Sequence, residues 1–292
     1  MEFRTYREED YDAVCDFLIA LNRADRTHIN WNWARFEWMY EHPESDRSAY
    51  GAIGLWSDGG RIVGAAIYDM YFGEAFCGVL PGCGSLYPEI LDYAYAALRD
   101  DAGLGIAICA GAAEEIAAAE RRGFVRAEQT ETVMRIELDR PLAAALPEGV
   151  SFSELDPAKD DGREIQWLFW QGFDHGADEA EFEKDYEKTV RAGLRIRRHF
   201  DPYLSMAARA AGGEAVAYCG VWYQNGTDYA YVEPVCTVPA WRRKGVGRAV
   251  VCEALNRARK RGAKRAYVIS DQPFYEALGF QKDRHYTFFW KT

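Results

Sequence analysis

Apolar and polar positions along this chain alternate at two periods, and the two periods follow one another in the same order twice. Near the start, Phe3-Arg4-Thr5-Tyr6 alternates like a strand, Glu8-Glu9-Asp10 interrupts it, and Tyr11 to Asn22 repeats apolar residues at helical spacing. Past the middle, Val150-Ser151-Phe152-Ser153-Glu154-Leu155 alternates again and leads into a helical run ending near Phe173. Asp156 is placed to cap that run, and Pro157 suits its first turn. A second helix is predicted in each half, over Trp33–Glu41 and Glu179–Ala192.

Hairpins follow. The first half gives strands over Ala49–Trp56 and Arg61–Phe72 about a Ser57-Asp58-Gly59-Gly60 turn. The second gives Tyr203–Ala210 and Glu214–Tyr223 about Gly212-Gly213, then Asp228–Val238 after Asn225-Gly226. Asn-Gly and Gly-Gly pairs supply the positive φ that tight hairpin turns require. Each half then reads helix, short apolar strand, helix, strand, the apolar strands being Gly105–Cys109 and Arg265–Ile269. Pro141, the Ala143–Ala145 run, Pro147 and Gly149 read as a linker within Asp139–Gly149. The expected architecture is α+β: two tandem domains of similar fold, 1–140 and 150–292, each a mixed, mostly antiparallel sheet flanked by helices.

Composition narrows the function. The chain has 292 residues, a net charge of −11 and a pI near 5.1, a balance unsuited to nonspecific nucleic-acid binding. No run of about 18 apolar residues indicates a membrane span, and the charged start of the chain carries no signal-peptide core. A cytoplasmic enzyme acting on neutral or cationic small molecules is expected. The seven cysteines lack Cys-x-x-Cys spacing and histidine companions, so they read as reduced thiols, with no metal site.

The strongest local signal is Thr237-Val238-Pro239-Ala240-Trp241-Arg242-Arg243-Lys244-Gly245-Val246-Gly247-Arg248. A strand ends, a glycine-bearing turn follows, and a helix opens whose apolar face is Val250, Val251, Ala254, Leu255 and Ala258. Such a helix start offers unpaired N–H groups and a positive dipole end, and glycines let a pyrophosphate approach them. Taken alone, the six-residue core of this motif also fits an ordinary strand–turn–helix with basic surface residues. Downstream, Ser270-Asp271-Gln272-Pro273-Phe274-Tyr275-Glu276-Ala277-Leu278-Gly279-Phe280 reads as a short helix capped by Asp271 and closed at Gly279.

Together and in this order, these motifs resemble those of the GNAT superfamily of N-acetyltransferases. Arg242, Gly245 and Gly247 match its [Q/R]-x-x-G-x-[G/A] loop, and Phe274, Tyr275, Gly279 and Phe280 match its F-Y-x-x-x-G-F motif. The resemblance implies that acetyl-CoA is the cosubstrate, its pantetheine arm paired with the main chain of Cys236, Thr237 and Val238. Its pyrophosphate would rest on the loop of Arg242, Arg243, Lys244, Gly245, Val246, Gly247 and Arg248. It also implies direct transfer to an amine, with Cys236 a buried strand cysteine. Tyr275 stands where many members place the general acid that protonates the departing thiolate; its other reading is a packing aromatic. Glu233, a carboxylate inside an apolar strand beside Pro234, reads as the base that deprotonates the amine, as an amine-recognition group or as a salt-bridge partner. Trp170, Asp174 and His175 lie in the segment that lines the acceptor pocket in the family, or else belong to a solvated acidic loop.

The first half keeps the element order without the chemistry. Gly123 and Phe124 match the end of the second motif, but Ala118 and Ala119 replace its aromatic pair. The basic loop is missing, and Leu80-Pro81-Gly82-Cys83-Gly84 stands in its place. This half reads as a degenerate domain that binds no acetyl-CoA. Its aromatic segment, with Trp31, Phe36, Trp38 and Tyr40, reads as core or as pocket wall. The expected partner is a primary amine of a small molecule, with the chain a monomer of internal pseudo-symmetry or a homodimer. A non-catalytic acetyl-CoA sensor and a protein N-acetyltransferase are the alternatives.

Overall fold

A computed structural model describes residues 1–24, 26–42, 45–156, 162–192 and 199–292. It contains two compact units: Met1–Val133 with Ile269–Asp271 and Lys282–Thr292, and Met134–Val268 with Gln272–Gln281. In chain order unit 1 contributes β1 (Glu2–Thr5), α1 (Tyr11–Ala24), α2 (Trp33–Glu41), β2 (Gly54–Asp58), β3 (Arg61–Tyr68), β4 (Glu74–Val79), α3 (Tyr87–Ala97), β5 (Leu104–Cys109), α4 (Ala113–Arg121) and most of β6 (Val125–Glu137). Unit 2 contributes β7 (Ser151–Glu154), α5 (Gly162–Gly172), α6 (Glu179–Ala192), β8 (Ser205–Arg209), β9 (Ala215–Trp222), β10 (Tyr229–Thr237), α7 (Val246–Arg261), β11 (Arg265–Ile269) and α8 (Pro273–Leu278). The last strand, β12 (Gln281–Lys291), runs from Lys282 onward in unit 1, where it pairs antiparallel with β5 from Tyr286↔Cys109 to Lys291↔Leu104.

The strands of unit 1 lie in the order β1-β2-β3-β4-β5-β12, and those of unit 2 in the order β11-β10-β9-β8-β7. In both, one parallel pair, β4 with β5 and β10 with β11, breaks an otherwise antiparallel series. This is the expected mixed α+β arrangement.

Several local expectations change. The predicted strand over Ala49–Trp56 is a 3-10 turn over Arg47–Ala52, capped by Asp46, followed by β2. Pro157 lies outside the described residues, and α5 runs from Gly162. The short downstream helix is preceded by Gln272, not Asp271, because Pro273 takes its first position. The supposed linker is held down: Asn256 on α7 donates to Leu142 O at 2.9 Å and accepts from its N–H at 2.8 Å, and Leu142, Ala144 and Leu146 pack on the core of unit 2.

That core is organised by α7. Val246, Val250, Val251, Ala254, Leu255 and Ala258 recur on one helical face and are fully buried. Burying one such aliphatic side chain stabilises by roughly 1.5–3 kcal/mol. The helix ends at Gly262, φ +115°, after Arg259, Lys260 and Arg261, whose charges complement its C-terminal dipole. In unit 1 the aromatic segment is core: Trp31, Phe36 and Tyr40 are buried, and Trp31 stacks on Phe76 with centroids 5.7 Å apart. Among the described residues no helix is long and apolar enough to cross a membrane.

Candidate active site

The site begins with a strand pair that stays together for three residues and then parts. β10 pairs with β11 at Tyr229, Ala230 and Tyr231 only, while its other edge stays paired with β9 as far as Thr237. Beyond Tyr231 the β11-facing edge of β10 therefore has no strand partner in this register, and a cleft of about 680 Å³ opens there. Val235, Cys236 and Thr237 form one wall, the turn after β10 the floor, and Phe274 and Tyr275 the far side.

The turn is shaped by two residues with positive φ, Arg243 (60°) and Gly245 (82°). No side chain caps α7 at Gly245, so its first N–H groups face the cleft without a side-chain acceptor. Gly247 stands in the next turn of backbone, where a Cβ would meet Thr237 Oγ1 at 2.7 Å. Arg242 is committed to the protein: it donates to Thr237 O (2.9 Å) and Gly172 O (3.0 Å) and pairs with Asp174 at 2.9 Å. Arg248 donates to Ala277 O at 2.8 Å, tying α7 to α8. These two arginines brace the turn, and Arg242, Arg243 and Arg248 all border the cleft. Lys244 lies 4.9 Å over the Trp241 ring, and neither it nor the buried Val246 lines the cleft. Val238 donates its N–H to Val216 O and lines a second hollow, with Trp167 and Trp241.

Tyr275 is buried in α8, edge-on to Phe274 and Phe280. Burial pushes its phenol well above the ordinary value, and the nearby Cys219 and Glu233 push it the same way. The group stays protonated at neutral pH, as a proton donor must. Cys236 also faces the cleft, but burial pushes its thiol up to about 12, partly opposed by Arg242, so it is not poised as a thiolate nucleophile.

Glu233 sits where the β9–β10 register shifts, between Val232 and Val235. Trp222 Nε1 donates to its carbonyl at 2.7 Å, and the Tyr231 hydroxyl donates to its Oε2 at 2.6 Å. A Cβ on Gly220 would approach the Glu233 carbonyl to 2.5 Å, so only glycine admits the bulged backbone. The carboxylate is half-buried and within electrostatic reach of Tyr275.

Of the acceptor residues expected from sequence, Asp174 (φ +64°) borders the cleft and is held by Arg242. Trp170 and His175 stack on one another 5.0 Å apart, the indole also meeting Phe182, and neither lines the cleft. Phe274 and Gly172 also line the cleft, though the sequence did not mark them as site residues. Phe274 lay inside the quoted motif, whereas Gly172 had no signal beyond its place at a helix end. Trp222 gave no signal, because its hydrogen bond arises from pairing between β9 and β10, and Tyr231, two residues from Glu233 along β10, was not marked either.

Residues 161–280 match the model of the Acetyltransferase (GNAT) family. The chain carries a GNAT domain. Solved structures extend the likeness of fold to the whole chain. A GCN5-related N-acetyltransferase from Sphaerobacter thermophilus shares 18% identity, with TM-score 0.57 over 99% of this chain and 95% of its own. A tandem GNAT protein from the clavulanic acid biosynthesis pathway shares 17%, with TM-score 0.61 over 99% and 97%. A GNAT-family acetyltransferase from Colwellia psychrerythraea shares 13%, with TM-score 0.54 over all of both chains. No curated protein matches the chain by sequence.

Against this GNAT domain, unit 1 shows what its fold keeps and what its chemistry lacks. β4 and β5 also pair briefly, at Glu74 and Ala75, and part around a larger cleft of about 1030 Å³. In unit 2 Gly279 (φ +102°) follows α8 and the Phe280 N–H donates to Tyr275 O; in unit 1 Gly123 (φ +82°) follows α4 and the Phe124 N–H donates to Ala119 O. The same hydrogen bond thus places Ala119 where unit 2 has its phenol. Glu114 and Glu115 line the unit 1 cleft, Glu115 paired with His28 at 3.1 Å, and among the described residues Arg121 is its only Lys or Arg.

Proposed function

We propose that the protein transfers the acetyl group of acetyl-CoA directly to a primary amine of a small molecule, within the GNAT domain of unit 2. The observation that carries this reading is the parting of β10 from β11 beside an uncapped, arginine-braced helix start. The open edge of β10 suits the amide groups of a pantetheine arm, and the turn from Arg242 to Arg248 suits a pyrophosphate. The fit extends to the steric detail at Gly247, whose missing side chain keeps backbone N–H groups approachable. When bound, acetyl-CoA supplies an activated thioester.

The protein's own groups then divide the proton work. Glu233 takes a proton from the acceptor ammonium, directly or through water, and Tyr275 gives one to the departing thiolate. The raised phenol of Tyr275 supports this division, as does a Cys236 thiol too weakly acidic to form an acyl intermediate at neutral pH. Unit 1, with carboxylates in its cleft and Ala119 in place of a phenol, is read as binding no acetyl-CoA. The test is a panel of small primary amines incubated with acetyl-CoA and the full chain, reading free thiol. Amine-dependent thiol release is expected. Tight acetyl-CoA binding without release for any amine or peptide would replace this reading with that of a sensor; release with lysine peptides alone would make it a protein acetyltransferase.

A further inference from the structure

We propose that Tyr231 is a positioning residue for Glu233: its hydroxyl holds one carboxylate oxygen and sets the pH at which Glu233 becomes available as a base. This inference rests on the reading of Glu233 given above and adds a second residue to it. Tyr231 is buried in β10, paired with Trp222 of β9 on one side and Tyr267 of β11 on the other. It is therefore the last residue of β10 paired to β11 before the two strands part. Its 2.6 Å bond to Glu233 Oε2 falls in the range of a hydroxyl donating to an ionised carboxylate. The backbone is held by strand pairing on both sides, and the ring is buried.

The main chain of Glu233 is anchored separately, by Trp222 Nε1 on its carbonyl and by the close approach that Gly220 permits. Backbone and carboxylate thus have different holders. Among the described residues, the ionisable groups near the carboxylate include Tyr231 on its own strand and Tyr275 from α8, with Cys219 of β9 acting on the same phenol. Tyr275 and Cys219 are held in their neutral forms by burial. Tyr231 provides a hydrogen bond that favours the carboxylate anion. A donor to the charged form lowers a carboxyl pKa, so removing the Tyr231 hydroxyl should raise that of Glu233.

The full chain, labelled with carboxyl-¹³C glutamate, is titrated by NMR, and the Glu233 signal is identified by its loss in Glu233→Gln. Tyr231→Phe should raise the Glu233 midpoint by about one unit. The acid limb of kcat/KM should move up with it, and kcat on the plateau should fall about tenfold as the carboxylate loses its fixed orientation. Acetyl-CoA affinity should not change. Trp222→Phe, which removes the donor to the backbone carbonyl, should leave the midpoint in place. An unmoved midpoint in Tyr231→Phe overturns the proposal, and so does an equal shift in Trp222→Phe, which would mark general loosening. A shifted midpoint with an unmoved acid limb keeps the contact but removes Glu233 from the role of base. Should Tyr231→Phe fail to fold, difluorotyrosine placed at 231 keeps the ring and strengthens the donor; the midpoint should then fall, and no change would overturn the proposal.

Discussion

At Gly247 a side chain has no room, since its first carbon would already press on Thr237 Oγ1. Gly247→Asp adds both that clash and a negative charge where a pyrophosphate is read to lie. It should weaken acetyl-CoA binding at least tenfold by calorimetry; unchanged affinity would remove the turn from the cofactor site. Tyr275→Phe keeps the buried ring and deletes the hydroxyl, so acetyl-CoA affinity should hold while kcat falls by about 10²–10⁴-fold. Because burial raises this phenol, its deprotonation should cause no loss of rate up to about pH 9. Glu233→Gln should slow transfer most at low pH, where free amine is scarce, and rising pH should partly restore the rate. A change confined to the acceptor KM, with the pH profile intact, would make Glu233 a recognition group. The Arg242 guanidinium holds Thr237, Gly172 and Asp174 and still borders the cleft.

Among the elements, α7 couples stability to the site. Its apolar face forms much of the core of unit 2, and its first turn is the floor of the cleft. Leu255 lies fully buried near the middle of the helix. Leu255→Ala should destabilise unit 2 by about 2–5 kcal/mol in chemical unfolding, and acetyl-CoA should recover part of that loss by binding the folded form. A loss below ~1 kcal/mol would mean the helix contributes less packing than its burial implies. The basic residues that continue past the turn belong to this element as well. Arg257 bridges Glu154 and Glu253, and Arg261 meets Asp201, so this part of the run holds the helix to its neighbours.

For the whole molecule, two expectations follow from how the units are built. Native mass spectrometry with saturating CoA should show one molecule per chain; two would mean that the unit 1 cleft binds CoA despite Glu114 and Glu115. Removing Lys282–Thr292 should unfold unit 1, because those residues fill the place beside β5 and Tyr286 donates to Thr27 O at 2.9 Å. Hydrogen exchange would show protection lost along β5, and full protection there would contradict a stabilising role for the β5–β12 pairing. Alternation and helical periodicity were enough to place α1, α2, α6 and β11, and glycine spacing located the turn at Gly245 and Gly247, because these features depend on contacts between near neighbours in sequence. The two motifs fixed Tyr275 and the GNAT domain for the same reason. Pairing between distant strands decided the rest. It placed β12 in unit 1 and parted β10 from β11, while other contacts between residues far apart in sequence pinned the supposed linker to Asn256 and Arg242 to Gly172. Those outcomes depend on register and on which backbone edges are left open, and a chain read in one dimension contains neither until its strands have found their partners.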